Sequence, residues 1–450
     1  MPGMLSLAVS DLAYTADEVL SPYVWVFLVS FGVCFVATPI MRKLALANGI
    51  VDWPDLRRKA HVEPVAYLGG VALFLGWLAG VVMCFFIVPH TVDVGVGSVA
   101  FPPTIIIGAA IITLVGFGDD VYGMPPRVKV GGQLLAAALL AGHTVGTDLA
   151  SGAIEAVVGV IGVESSFIPG LGAQPHWLDP AYWVGAVIVT LLVLGGCNAL
   201  NLIDGLDGLS SGVTGIAALG FAAISVMLAM GMYGGGEAYA PATDPVRIVM
   251  CLAILGTVLG FVPYNFNPAN IFMGDAGSLL LGYLCVTTIL LLAENGEPTL
   301  AMAGLMVFAL PILDTSLAIV RRKVRGQPIF SPDNQHLHHQ LIRSGLSVKK
   351  AVLVLYGVAG AFAIMGASLT LLRLRYVAAI FIVFFAFMAV TAYKVGHRQH
   401  LAIQATGKAR GRRAAAREQT RPPGDPPLPS DTHSPSPRPE QPDQPAESSA

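Results

Sequence analysis

The sequence predicts an all-α integral membrane protein of about eleven transmembrane helices, its N-terminus outside and its C-terminus in the cytoplasm. Three observations lead there. Hydrophobic residues make up 54% of the 450 and charged residues only 12%, about half the ~25% charged share of a soluble domain. The apolar residues are gathered into runs of membrane-spanning length, for which about 20 residues cross a hydrocarbon layer of about 30 Å. The basic residues alternate from loop to loop in a way that only one orientation satisfies.

In chain order the runs are 22–41, 65–89, 102–117, 130–147, 181–199, 209–232, 246–264, 271–293, 299–320, 352–372 and 376–395. Several contain Gly or Pro, which membrane helices tolerate. The third and fourth are the shortest, and the parity of the count decides the side on which the tail emerges. With the N-terminus outside, the inner loops and tail hold 23 of the 26 Lys and Arg residues, leaving Arg247, Arg373 and Arg375 outside. Inversion would violate the positive-inside rule.

Residues 1–21 read as an outer N-terminal segment. They lack the basic start of a signal peptide, and Asp11, Asp17 and Glu18 interrupt them. Residues 22–400 form the membrane domain, and 401–450 a cytoplasmic tail, first basic and then rich in Pro and Ser. A tail of that composition has little to bury and is expected to be disordered. The longest outer loop, 148–180, carries β-branched, Gly-punctuated pieces at 153–163 and 166–170 that suggest a small hairpin. The five cysteines lie in or beside apolar runs without CxxC spacing and read as packing residues.

Ionisable groups at the ends of membrane helices are costly and usually functional. Here they form four clusters, all on the predicted inner face. The first is Gly118-Asp119-Asp120, followed by Arg127 and Lys129. Adjacent carboxylates repel, so a cation must lie nearby or one must stay protonated. The second is Asn198-Ala-Leu-Asn201-Leu-Ile-Asp204-Gly-Leu-Asp207-Gly208, whose three-residue spacing lines amides and acids along one face of a helix end. A loop with helix caps is the alternative. The third, Asn265 to Ser278, contains Phe272-Met-Gly274-Asp275. A carboxylate at a helix start suits a hard cation such as Mg²⁺ and the helix terminus suits phosphate, although an N-cap is a common fate for Asp. The fourth holds Arg321, Arg322, Lys323 and Arg325, then His336-Leu-His338-His339. Beside so many cations these histidines read as diphosphate ligands or proton donors, with zinc ligation and a plain surface left open.

Carboxylates, amides and a basic, histidine-rich loop are the parts of phosphoryl-transfer chemistry. No P-loop or kinase signature is present, so ATP is not the expected donor. A transporter is the rival of a different class. It predicts charges near mid-membrane and two related halves, whereas the charges of these clusters fall at inner helix ends and no convincing internal repeat is present.

Taken in order, Asp119-Asp120, Asn198-x-x-Asn201-x-x-Asp204-Gly-x-Asp207-Gly, Phe272-Met-Gly-Asp275-x-Gly-Ser and His336-Leu-His338-His339 resemble the signatures of the polyprenyl-phosphate N-acetylhexosamine-1-phosphate transferases. The likeness covers about residues 20–395, and Lys59-Ala-His61 with Gly69-Gly70 matches a further family segment. The His-x-His-His sequence and eleven runs resemble the N-acetylglucosamine branch more than the phospho-N-acetylmuramoyl-pentapeptide branch, the within-family alternative.

The resemblance implies a multi-pass enzyme of a bacterial plasma membrane with a cytoplasmic active site. Its substrates would be UDP-GlcNAc and a polyprenyl phosphate, its cofactor Mg²⁺ with Mn²⁺ as an alternative, and nucleic acid is not an expected partner. It leaves room for a homodimer and for another UDP-hexosamine. Residue by residue, it implies that Asp275 and Asn201 hold the metal. Asp119, Asp120, Asp204, Asp207 and His338 would be catalytic. Lys59, Lys129, Asn198, Phe272, Arg325, His336 and His339 would contact substrate, with Phe272 stacking on uracil.

Overall fold

The computed structural model describes residues 15–53, 64–87, 101–160, 176–233, 244–324, 326, 336–391, 393–394 and 397. The tail expected from 401 onward, the first 14 residues and the loop piece 166–170 lie outside them.

The first helix, α1 (Ala16–Leu20), is short and closed by a capping box between Thr15 and Glu18. It leads into α2 (Val24–Ala47). Two short antiparallel strands follow, β1 (Val51–Asp52) and β2 (Val65–Ala66), and Ala66 also bridges to Ile271. The remaining helices in the first half are α3 (Gly69–Ile87), α4 (Pro103–Tyr122), α5 (Pro126–Gly142), α6 (Leu149–Val160) and α7 (Pro180–Ile203). The second half has α8 (Leu209–Ala229), α9 (Asp244–Asn265), α10 (Gly274–Leu292), α11 (Pro298–Val307), α12 (Ala309–Val324), α13 (Leu337–Arg343), α14 (Val348–Leu369) and α15 (Leu374–Thr391). Proline opens α4, α5, α7 and α11, where its missing N–H has no helical partner to lose.

Among the described residues nine helices are long and apolar enough to cross a membrane, or ten if the bent pair α11–α12 counts as one span. The fourth expected run forms the 17-residue α5, which begins beside Arg127 and Lys129 and falls short of that length. The ninth run was expected as one span. Instead it breaks at Phe308 and turns by 78°, because Pro311 cannot donate the helical hydrogen bond to the Val307 carbonyl. The hairpin expected at 153–163 is also corrected, since most of that stretch belongs to α6. Helix propensity and packing on α7 outweigh its β-branched residues.

Helix α10 is the axis of the bundle, packed by α3, α4, α7, α8, α9 and α11. Small residues permit this crowding. A Cβ at Gly70 would lie 2.2 Å from the Gly277 nitrogen, and one at Gly116 would lie 2.4 Å from the Ala276 Cα. Arg247, counted above as an outer-loop cation, is fully buried at the start of α9. Its Nε donates to the Leu291 carbonyl at 2.9 Å and its guanidinium lies 3.8 Å from Glu294. All five cysteines are buried and unpaired.

Candidate active site at the start of helix α10

The segment between α9 and α10 is pinned from three sides. Asn265 donates to the Ile271 carbonyl at 3.0 Å and accepts from Ser211 at 2.9 Å. Asp207 accepts from Asn267 at 2.9 Å and from the Ala269 amide at 3.0 Å. Arg42 donates to the Asn270 carbonyl at 3.0 Å. Backbone bonds from Phe272 to Ala66 and from Gly69 to Phe272 then tie the segment to the β2 region. Gly274 takes a φ of 66° to enter the helix, and a Cβ there would sit 2.4 Å from an Asp120 oxygen.

Asp120 caps α10 from another helix. Its two oxygens accept from the amides of Asp275 at 2.7 Å and Ala276 at 3.1 Å, which satisfies donors that a helix start leaves open and places negative charge at the positive end of the dipole. Asp275 follows directly. Its carboxylate pairs with Lys129 and accepts from Asn201 at 2.8 Å. The Asn201 amide also donates to Ser278 at 2.9 Å. Lys129 in turn lies 2.5 Å from Asp119. The ends of α4, α5 and α7 thus converge on the first turn of α10.

Beside this cluster opens a cavity of about 620 Å³ lined by Tyr67, Asn201, Asp204, Asp207, Phe272, Asp275 and His339 among others, within the usual size of small-molecule sites. The Tyr67 and Phe272 rings meet at 6.0 Å. Loss of hydration, and then the charges of Asp275, Asp120 and Asp207, pushes the Asp204 carboxyl up to about 8. Among the described residues of this cluster the acids outnumber Lys129. No group of three or more His, Cys, Asp or Glu is placed to hold a metal among the described residues. The donor set nevertheless fits Mg²⁺, which takes one or two carboxylates and completes its shell with water and phosphate oxygens. Asp275 and the Asn201 amide are the residues so placed.

The expected site residues divide in two. Asn201, Asp204, Asp207, Phe272, Asp275 and His339 line the cavity, while Asp119, Asp120 and Lys129 adjoin it through Asp275. Asn198, expected to touch substrate, instead donates to Gln133 at 2.9 Å and to the Leu194 carbonyl at 2.7 Å. It sits three residues before Asn201 on α7, some 4.5 Å lower at about 1.5 Å per residue. His336 and His338 are buried behind His339. His338, expected to be catalytic, packs against Gly205, where an added Cβ would lie 2.5 Å from Nε2. Neither of its ring nitrogens meets a partner among the described residues. Burial, then the neighbouring His339, pushes its pKa down to about 4, so the ring is neutral at pH 7. Lys59 and Arg325 lie outside the described residues.

Sequence reasoning missed Asp314, Gln133 and Tyr67. Asp314 did carry a readable signal, an acid inside an apolar run. Gln133, a polar residue in an apolar run, was readable in a similar way, whereas Tyr67 is an ordinary membrane-protein residue recognisable only by its neighbours.

A helical membrane bundle with an acid-rich helix terminus and a lysine beside a pocket defines the class: a membrane protein with a polar site at its helix ends. Comparison with known proteins narrows it. The pattern of glycosyl transferase family 4 matches residues 103–293. A decaprenyl-phosphate N-acetylglucosaminephosphotransferase of Mycobacterium tuberculosis is 35% identical over 351 residues, 75% of this chain and 80% of that protein. A probable undecaprenyl-phosphate N-acetylglucosaminyl 1-phosphate transferase of Bacillus subtilis is 32% identical over 349 residues, covering 77% and 85%. A phospho-N-acetylmuramoyl-pentapeptide-transferase of Bacillus cytotoxicus matches at 29% over 353 residues, covering 76% and 94%. The chain belongs to the polyprenyl-phosphate N-acetylhexosamine-1-phosphate transferase family.

Proposed function

We propose that this protein transfers N-acetylglucosamine 1-phosphate from UDP-GlcNAc to a polyprenyl phosphate, releasing UMP and leaving polyprenyl-diphospho-GlcNAc as the first lipid-linked intermediate of a surface polysaccharide. The observation that carries the reading is Asp275, held at the head of α10 by Lys129, Asn201 and the Asp120 cap, and opening onto the cavity. The Mycobacterium tuberculosis and Bacillus subtilis relatives named for N-acetylglucosamine transfer match at 35% and 32%, against 29% for the Bacillus cytotoxicus relative named for the pentapeptide. The eleven-span topology expected from the sequence puts 23 of 26 basic residues on the inner face, which supports a cytoplasmic site. The bacterial relatives support a plasma-membrane location.

The chain's own residues divide the work. Phe272 and Tyr67 offer aromatic faces for the uracil, and His339 reaches the cavity where the sugar diphosphate would lie. Lys129 presents a cation to incoming phosphate. Asp275 with Asn201 would hold Mg²⁺, or Mn²⁺ in its place. When bound, that ion supplies charge neutralisation to the diphosphate.

A phosphate monoester has its second pKa near 6, so the lipid phosphate already carries its nucleophilic charge at neutral pH. One of its oxygens attacks the β-phosphorus, and the bond from that phosphorus to the bridging oxygen breaks, with UMP as the leaving group. Both Asp120 oxygens are engaged by backbone amides and Asp119 is paired with Lys129. Alignment and electrostatics, rather than base catalysis, are therefore their part. Membranes supplied with UDP-GlcNAc and Mg²⁺ should release UMP and form a labelled lipid; absence of lipid-linked GlcNAc overturns the proposal. A phospho-enzyme trapped on Asp119 or Asp120 would overturn the single displacement.

A further inference from the structure

Asp314 lies on α12, six residues beyond the break at Phe308, and is 1% exposed. An acid inside an apolar helix is stable only when its oxygens are used, and here both are. Oδ1 accepts from the Leu337 amide at 2.8 Å, at the first residue of α13. Oδ2 lies 2.9 Å from the His336 Nδ1. Two further rings on α13 itself face His336. The His338 ring is stacked on it at 5.7 Å and 4°, and the His339 ring lies 6.5 Å away. His338 and His339 are 4.2 Å apart, and His339 enters the cavity. Three rings thus run from a buried carboxylate to the pocket wall, on a helix of seven residues too short to hold its own conformation in isolation.

We propose that Asp314 is a positioning residue. By holding the Leu337 amide and the His336 ring together, it sets the rotation of α13 that seats His338 on Gly205 and presents His339 to the cavity. It touches no substrate. Its effect on turnover rests on the function proposed above, whereas its effect on α13 does not.

The experiment uses the full-length protein in detergent and in membranes, with Asp314→Ala, Asp314→Asn, His336→Ala and the double Asp314→Ala/His336→Ala. Asparagine can accept from the Leu337 amide and donate to the opposite His336 tautomer, so it retains the geometry without the charge. Hydrogen exchange of the peptide spanning 337–343 should speed up at least tenfold in Asp314→Ala and stay near wild type in Asp314→Asn, with α14 unchanged in both. In the transfer assay, Asp314→Ala should lose about 100-fold in kcat/KM, the scale of a misplacement near 1 Å. Part of that loss should be a rise in KM for UDP-GlcNAc, and Asp314→Asn should stay within about fivefold of wild type. The double variant should be no worse than the poorer single, since both singles break the Asp314–His336 contact.

Unchanged exchange in Asp314→Ala, a loss confined to apparent kcat, additive singles, or an Asp314→Asn as damaged as the alanine would each overturn the inference. Should Asp314→Ala fail to accumulate, Asp314→Asn and His336→Ala still decide it: the first must keep α13 protected and the second must not. If exchange behaves as expected while wild type releases no UMP, the proposed function falls and the positioning role stands.

Discussion

Helices α10 and α15 are nearly the same object by length and composition. The first has 19 residues at mean hydropathy 1.8, the second 18 at 2.2. Yet 94% of α10 is buried inside the protein and 6% of α15. The difference teaches that hydropathy measures how willingly a segment leaves water and is blind to whether lipid or protein receives it. What separates the two is small and local. Glycines on α3 and α4 let neighbouring backbones meet α10, and its first turn carries Asp275. By contrast α15 presents Ile382, Val383 and Phe387 at 67–69% exposure.

Four substitutions would break or sharpen that contrast. The largest effect belongs to Asp275→Asn, which removes the charge that Lys129 and Asn201 hold at the head of α10. UMP release should fall by at least about 10²–10³-fold, the cost of losing one preorganised electrostatic contact, while the detergent thermal midpoint stays close to wild type. Retained activity would remove Asp275 from the site. Next is Gly70→Ala. Its new methyl would meet the Gly277 backbone nitrogen at 2.2 Å, so the midpoint should drop by an amount equivalent to about 1–3 kcal/mol of overpacking; no drop would mean that α3 and α10 are not in contact.

Asp120→Ala removes a cap rather than a packing contact. A stability loss of about 1 kcal/mol is expected, together with a larger loss of turnover because Asp275 is then less firmly set. An undiminished kcat would show that the cap does not orient it. The smallest effect is reserved for Ile382→Ala on α15. A side chain facing lipid should cost less than about 0.5 kcal/mol, and a larger loss in membranes would reveal a protein partner on that helix.

Much of the molecule was legible beforehand. The helical membrane class, the order of the spans and the four polar clusters all lie in the chain as local patterns. Asn201, Asp204 and Asp275 do reach one cavity, because motifs at helix ends on one face of a bundle have little room to be apart. What escaped was relational. Asn198 shares the three-residue spacing of its cluster yet turns to Gln133, because nearly one helical turn of depth separates it from Asn201. The 299–320 run read as a single span because Pro311 is common in membrane helices and only its lost bond to Val307 marks the break. Asp314 was visible as an acid among apolar residues, but its partners lie 22 and 23 residues further along, at the start of α13.

By itself, then, the sequence determined that this chain is a multi-span membrane protein with carboxylates, amides and histidines at its helix ends, since transfer from water and positive-inside charge act segment by segment. Only the tertiary structure decided that α10 is the axis, that Asp120 caps it from 155 residues away, and that one histidine reaches the pocket while two stand behind it. Those outcomes depend on which helix meets which, and in an apolar surrounding that choice rests on close packing and hydrogen bonds between distant residues. Neither leaves a periodic trace along the chain.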